Sequence, residues 1–230
     1  MKMPESDLII LGSRSPRRRE LLEPIVGSAV LRVMPPLSSE ESGFDDVHDD
    51  ASIEQRLREI VRQKYATVCQ QVQDSDSTVA NSMERPAIIV VADTIVIASN
   101  DNGIKQVLGQ PEPDQWKSQV RDWFRFWLAG RTHEVWTGVI VARHTETREF
   151  VVKSKVTFCE ISDATIEWYL SVSESLGKAG GYAIQGHAAA FVSQLSGSLS
   201  NVIGLPLMEV MAAMESLGWH LPSDSPKDAD

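Results

Sequence analysis

Two short runs of consecutive apolar residues constrain the fold of this chain most strongly. Residues Leu8–Leu11 read LIIL, and residues Ala87–Ala92 read AIIVVA. Neither run alternates polar and apolar residues, as a strand with one solvent-facing side does. Each is therefore predicted to be a strand buried on both faces. In the second run, Asp93-Thr94 is expected to interrupt the strand before apolar residues resume at Ile95.

Helical patterns alternate with these strands along the chain. They cover 15–24, 52–72, 116–130, 162–177 and 206–218. Ser15 and Pro16 suit the start of the first helix, and Pro24 is expected to end it. Residues 133–143 and 149–161 are rich in β-branched residues and predict a hairpin, with 144–148 as its turn. We therefore predict an α/β fold with a mixed central sheet flanked by helices.

Composition excludes several classes of protein. The chain has 22 Lys and Arg against 32 Asp and Glu, a net charge of −10, which argues against binding a nucleic acid polymer. The sequence has no apolar run of the roughly 18 residues that span a membrane and no signal core, so a cytoplasmic location is expected. Cys69 and Cys159 do not form a zinc motif, and we expect two reduced thiols.

The segment GSRSPRRRE, residues 12–20, is a candidate phosphate site. A serine-rich turn that enters a helix presents free backbone N–H groups, and Arg17 and Arg18 add planar donors that match phosphate oxygens. The segment lacks the glycines of a Walker loop or a dinucleotide fingerprint. The alternative is an exposed basic first turn with no ligand.

Other candidate residues lie on later elements. Asp93 follows a buried strand, where a carboxylate can act as a base or a metal ligand, or simply form a turn. Lys64 lies within the apolar stripe of helix 52–72, where a buried amine needs an anionic partner. The glycine-rich stretch 177–207 favours a binding loop over a regular element, and its Gln185 can both donate to and accept from a base edge. His187 has no partner at metal spacing.

Four segments in the same order resemble the Maf family of nucleotide pyrophosphatases, also called septum-formation proteins. They are GSRSPRRREL, VVADTIV, GGYAIQG and GSLSNVIGLPL, with THEVWTGVIV between the second and third. The resemblance spans about Leu8 to Leu217. It implies one α/β domain over 1–222 with two lobes and a deep cleft, similar to inosine triphosphate pyrophosphatases. From its polar, unpatterned composition we predict that the stretch 73–86 is a mobile surface insertion, and we expect 223–230 to be a disordered acidic tail.

The resemblance also implies an activity and a set of residues. A nucleoside triphosphate would be hydrolysed between its α and β phosphates with Mg²⁺ or Mn²⁺, and the protein could form a homodimer. Asp93 matches the proposed general base, Lys64 the lysine of the long helix, and Glu41 the acidic residue that would share the metal with Asp93. Thr94 lies in the specificity region, and Gln185 matches the branch that resembles dTTP and UTP pyrophosphatases. The positions that grip the phosphates are Ser13, Arg17 and Arg18.

One position departs from the family pattern. Where the family usually reads Gly-Lys-Pro, this chain has Gly109-Gln110-Pro111, so a cationic phosphate contact is missing, and Lys105 is a candidate substitute. The leading hypothesis is a pyrophosphatase that acts on dTTP and UTP and removes surplus or non-canonical nucleotides. The alternatives are a catalytically weak nucleotide-binding regulator of cell division that acts through a protein partner, favoured by Gln110, and an enzyme that prefers purine nucleotides.

Overall fold

A computed structural model describes residues 8–37, 43–74, 87–100 and 102–221. In these ranges seven strands form one mixed sheet with helices packed around it, which confirms the predicted α/β class. The strands are β1 (Ile9–Gly12), β2 (Leu31–Val33), β3 (Ile88–Ser99), β4 (Lys105–Leu108), β5 (Thr132–Arg143), β6 (Glu146–Phe158) and β7 (Val192–Ser196). The α-helices are α1 (Pro16–Val26), α2 (Asp50–Asp74), α3 (Trp116–Trp123), α4 (Asp163–Ser171), α5 (Leu199–Ile203) and α6 (Leu207–Ser216).

Strand β3 is the centre of the sheet, whose order is β2-β1-β3-β5-β6-β7 with β4 also paired to β3. Strand β5 runs antiparallel along one edge of β3, from Ile88 to Ile97. The other edge is shared: β1 pairs with β3 in parallel up to Val91, and β4 pairs antiparallel from Val96 onward. Between these two partners, no strand among the described residues pairs with this edge of β3, and the gap separates two lobes.

The predicted interruption of β3 at Asp93-Thr94 is wrong. Both residues continue the ladder, with Asp93 opposite Gly138 and Thr94 opposite Thr137 of β5. Strand pairing uses backbone groups, so two polar side chains do not end a strand whose partner continues beside it. The strand that ends near Asp93 is β1, whose last residue pairs with Val91 of β3.

Side chains on β3 alternate between two packed faces. Ile88, Val90 and Ala92 pack with α1 and α6 in one cluster of buried residues, and Val96 and Ala98 belong to a second cluster that includes α3 and α4. The opposite face packs against α2. Asp93 therefore faces α2, whereas Thr94 lies between the two clusters of the other face.

Several predicted boundaries need correction. Helix α1 passes through Pro24, which lies in its last turn and costs few backbone bonds there; Gly27, with φ 89°, ends the helix. The hairpin turn is shorter than predicted, because β6 begins at Glu146, and β6 ends at Phe158. Helix α4 begins at its Ser162 cap but ends at Ser171, before a left-handed residue at Ser173.

Three further patterns have clear outcomes. The helical stretch 116–130 forms α3 and a π-helical turn, Phe124–Leu128, packed against the core. The stretch 177–207 is more regular than predicted, since it contains β7, α5 and 3-10 turns at Ala179–Gly181 and His187–Phe191. Cys69 and Cys159 are not disulfide-bonded. The predicted insertion is described only as far as residue 74, and the predicted tail lies outside the described residues.

Within the described part of the chain, no helix has both the length and the apolar composition that a bilayer span requires.

Candidate active site

A cleft of about 970 Å³ opens at the uncovered edge of β3. The turn between β1 and α1 lies at its border, together with the middle of β3 and the loops that carry Gln110, Gln185 and Gly204. The structure brings all but one of the predicted site residues to this cleft. Those that line it are Ser13, Arg17, Arg18, Lys64, Asp93, Thr94 and Gln185. The remaining one, Glu41, lies outside the described residues.

Asp93 and Lys64 form an ion pair at the wall of the cleft. Lys64 Nζ lies 2.5 Å from Asp93 Oδ1, and the two side chains are only 16% and 14% exposed. Lys64 belongs to the apolar face of α2, and Asp93 belongs to the face of β3 on which α2 packs. The carboxylate of Asp93 is thus an anionic partner of the kind that the sequence pattern required for Lys64. The pairing holds the carboxylate in a fixed position at the wall of the cleft.

Arg18 connects α1 to β3 and to the turn after α5, on the face of β3 opposite Asp93. Its guanidinium donates to Ser13 Oγ at 3.1 Å, to Thr94 Oγ1 at 3.1 Å and to the backbone oxygen of Gly204 at 2.8 Å. Thr94 Oγ1 is also 3.0 Å from the hydroxyl of Thr137 on β5. Because these contacts fix the guanidinium plane, the charge of Arg18 is held at the cleft in a preorganised orientation.

Arg17 supplies a second guanidinium on the first turn of α1. It is partly buried, and burial lowers its pKa, an effect that Glu20 opposes. An arginine remains charged at neutral pH in any case. Ser15 marks the start of α1 as predicted, but its side chain makes no capping bond; instead its backbone N–H donates to Ser13 Oγ at 3.1 Å.

The loop that carries Gln185 is attached to the sheet through buried groups. Tyr182 Oη lies 2.7 Å from His133 Nε2 on β5, and both residues are buried. The backbone N–H of Gly180 donates to the oxygen of Gly109 at 3.0 Å. Gln185 itself is exposed at the cleft, where its amide is accessible to a ligand. His187 is half exposed beside Glu174.

Lys105 does not substitute for a lysine at position 110. Its amine pairs with Asp50, lies 3.7 Å from Glu134 and lines a separate, smaller pocket. The proximity in sequence was misleading because β4 carries Lys105 at its far end, away from the turn at Gln110. Gln110 does line the cleft.

The donors in the cleft fit a divalent cation only together with a ligand. Among the described residues, no three His, Cys, Asp or Glu side chains are grouped closely enough to hold a metal by themselves. Magnesium often uses one or two carboxylates together with substrate phosphates and water, and Asp93 offers hard oxygen donors of that kind. The residues therefore fit a metal that binds jointly with a phosphate chain.

Sequence reasoning missed three residues that border or support the cleft. Lys178 and Glu112 line it, and Thr137 contacts Thr94. Lys178 could have been found, since it lies within the glycine-rich stretch already chosen as a binding loop. Thr137 carried no signal, because only the register between β3 and β5 places it beside Thr94.

Comparison with known proteins agrees with the motifs. A family model described as Maf-like protein matches residues 8–217. The chain is 34% identical over 222 residues to a dTTP/UTP pyrophosphatase of Anaeromyxobacter dehalogenans strain 2CP-C, which covers 95% of this chain and 98% of that protein. It is 36% identical over 220 residues to the dTTP/UTP pyrophosphatase of Myxococcus xanthus, with 95% and 96% covered. The corresponding Acinetobacter baylyi protein is 33% identical over 207 residues, with 89% and 97% covered. The chain belongs to the Maf-like protein family.

Proposed function

We propose that this protein is a nucleoside triphosphate pyrophosphatase that acts on dTTP and UTP. It hydrolyses the bond between the α and β phosphates and releases the nucleoside monophosphate and pyrophosphate. The observation that carries the proposal is a single cleft in which an ordered carboxylate, Asp93, faces a group of cations from α1 and α2. The names of the similar proteins support dTTP and UTP as substrates.

Asp93 acts as the general base. Its carboxylate accepts a proton from the attacking water as the water oxygen bonds to phosphorus, and the bond to the bridging oxygen breaks. Lys64 holds the carboxylate in place, with 2.5 Å between the two groups. Once the carboxylate is protonated, the amine of Lys64 is released to interact with a phosphate oxygen.

Arg17, Arg18 and Ser13 bind the phosphate chain. Charge builds on the departing pyrophosphate, and guanidinium groups fixed by other contacts stabilise it without having to reorganise. A bound Mg²⁺ or Mn²⁺, held by Asp93 and Glu41 with phosphate oxygens, would neutralise further charge on the triphosphate. Gln185 and Thr94 orient the pyrimidine base through its polar edge. Homodimerisation remains a prediction of the family resemblance.

A substrate panel with one variant tests this proposal. Pyrophosphate release is measured from dTTP, UTP, CTP, 7-methylguanosine triphosphate and inosine triphosphate, with Mg²⁺ or Mn²⁺. The wild type is expected to prefer dTTP and UTP, and Asp93→Asn is expected to lower turnover by about 100-fold or more, because positioned base catalysis contributes about 10²–10⁴-fold. Asp122→Asn, an exposed aspartate on α3, is the matched control and is expected to behave as wild type.

Nucleotide binding distinguishes lost catalysis from lost folding. Asp93→Asn leaves Lys64 without its carboxylate, so affinity for a non-hydrolysable dTTP analogue is measured alongside circular dichroism. Wild-type turnover in a folded, nucleotide-binding Asp93→Asn protein would rule out the mechanism.

The same panel tests the regulatory alternative, which Gln110 favours because it leaves the cleft with one cation fewer than the family pattern. A wild type that binds nucleotide but hydrolyses none of the five substrates would support that alternative.

A further inference from the structure

Lys178 lies at the cleft, on the loop that leads to Gln185. Its amine donates to the backbone oxygens of Glu174 and Leu176, the second at 3.5 Å. Both acceptors are neutral carbonyls, and in the described part of the chain no carboxylate lies within ion-pair distance of this amine. A partly buried ammonium group with only carbonyl partners retains unsatisfied charge.

The Lys178 loop is attached directly to the segment that carries Gln110. The N–H of Gly180 donates to the oxygen of Gly109 at 3.0 Å, so the two segments form one wall of the cleft. Gly180 and Gly181 have φ values of 69° and 68°, which other residues rarely adopt. A Cβ at these positions would come within 2.9 Å of Val96 and 2.6 Å of Val120. The turn after Lys178 is therefore tightly packed, and the position of the lysine relative to Gln110 is set by the fold.

The charge of Arg17 acts on Lys178, and both residues line the cleft. Burial lowers the pKa of Lys178, the positive charge of Arg17 lowers it further, and Glu174 opposes both effects. Two cations from different lobes thus face the same space. Such a pair is favourable only when an anion lies between them.

We propose that Lys178 Nζ binds the phosphate chain of the nucleotide and supplies the cationic contact that Gln110 cannot make. This inference rests on the proposed function for the identity of the ligand, but not for the presence of a polyphosphate site. In this arrangement the cation reaches the phosphates from the 177–186 loop instead of from residue 110. The chain thereby retains a cation on the same wall of the cleft.

The test compares four variants: Lys178→Gln, Lys178→Arg, the double variant Lys178→Gln/Gln110→Lys, and Lys155→Gln as the matched control. Lys155 is an exposed lysine on β6 that does not line the cleft. Affinity for inorganic tripolyphosphate is measured by calorimetry, and kcat/KM is measured with dTTP. Lys178→Gln is expected to weaken tripolyphosphate binding by about ten- to a hundredfold, the effect of one hydrogen bond to a charged group. Lys155→Gln is expected to match wild type.

Rescue separates phosphate binding from a structural role of Lys178. If the lysine only held its own turn, a lysine at position 110 could not restore what Lys178→Gln removes. Restoration of affinity in the double variant therefore supports the proposal, and Lys178→Arg, which keeps a cation at this position, is expected to bind tripolyphosphate nearly as tightly as wild type. Unchanged affinity in Lys178→Gln overturns the proposal, and so does a loss that the double variant does not restore.

The two readouts also separate this inference from the proposed function. If wild type hydrolyses no nucleotide but its tripolyphosphate binding depends on Lys178, only the proposed activity is contradicted. If wild type hydrolyses dTTP and Lys178→Gln binds tripolyphosphate with normal affinity, only the role of Lys178 is contradicted.

Discussion

At the scale of single residues, neighbours in sequence have separate surroundings. Asp93 and Thr94 leave opposite faces of β3, so one meets Lys64 on α2 and the other meets Arg18 on α1. Both border the same cleft because they lie on the part of the β3 edge between Val91, where pairing with β1 ends, and Val96, where pairing with β4 begins. A base and a substrate-positioning hydroxyl can therefore approach one ligand from two sides of the sheet.

His133 predicts how stability depends on pH. It is 1% exposed, bonds to Tyr182 through Nε2 and, among the described residues, has no partner for Nδ1. Burial lowers its pKa to about 3. In the unfolded chain its pKa is about 6.5, so below that pH the unfolded state binds a proton that the folded state does not. Its stabilising contribution is complete above about pH 6.5 and is lost as the pH falls towards about 3.

Urea unfolding at pH 7.0 and pH 4.5 measures this contribution. Between pH 7.0 and pH 4.5 the free energy of unfolding is expected to fall by about 2–3 kcal/mol more in wild type than in His133→Gln, because only wild type carries the histidine whose pKa differs between the folded and unfolded states. His220→Gln, which replaces an exposed histidine, is the control, and its free energy of unfolding should fall by as much as that of wild type. Equal losses in wild type and His133→Gln would show that His133 titrates normally in the folded protein.

At the scale of elements, the length of β1 creates the site. Strand β1 has four residues and β3 has twelve, so β1 covers only the first part of the β3 edge. Where β1 stops, the chain turns through Ser13 into α1, and the turn lies beside the uncovered residues of β3. A longer β1 would fill the opening with backbone hydrogen bonds and exclude a ligand.

The contact between β1 and α2 predicts a specific packing defect. A Cβ on Gly12 would lie 2.8 Å from Cγ2 of Val68 and 2.9 Å from Cγ2 of Val91. Gly12→Ala is therefore expected to destabilise the protein by about 1–3 kcal/mol through overpacking. Turnover should also fall, because α2 carries Lys64.

Chemical denaturation checks this defect, with Gly109→Ala as the control, since a Cβ there meets no atom within 4 Å. The double variant Gly12→Ala/Val68→Ala should lose less unfolding free energy than the two single variants lose together, because the smaller side chain at position 68 gives the new methyl group room. Strict additivity would show that helix α2 does not pack on Gly12 as described.

At the scale of the whole molecule, the positive charges that border the cleft are opposite in sign to the net charge of the chain. The chain carries a net charge of −10, yet its cleft is bordered by Arg17, Arg18, Lys64 and Lys178. A triphosphate is repelled by the whole protein at long range and attracted by the cleft at short range. Contacts inside a cleft decide the binding because long-range repulsion between exposed charges is screened beyond about 8–10 Å at ordinary salt.

The salt dependence of kcat/KM for dTTP shows which charge dominates. We expect kcat/KM to fall as potassium chloride is raised from low to moderate concentration, because salt weakens the cleft attraction. The slope should be shallower in Arg17→Gln, which has one cation fewer. A rise of kcat/KM with salt would mean that repulsion by the net charge governs association instead.

Much of this fold was readable from local patterns. Buried strands, the long helix α2 and the Ser162 cap follow from periodicity and capping, which depend on residues close together in sequence. Family motifs led to Ser13, Arg17, Arg18, Lys64, Asp93, Thr94 and Gln185, and the structure brings them to one cleft. Their catalytic and binding roles remain predictions.

Only the tertiary structure decided where the cleft lies and which residues complete it. The sequence by itself determined the apolar strands, the helices, the phosphate-type turn and the family, because each of these is written in short segments. The open edge of β3, the pairing of Asp93 with Lys64 and the position of Lys178 beside Gly109 depend on how distant segments pair and pack. Strand register and helix packing are set by the burial of the whole core, and no local pattern encodes them.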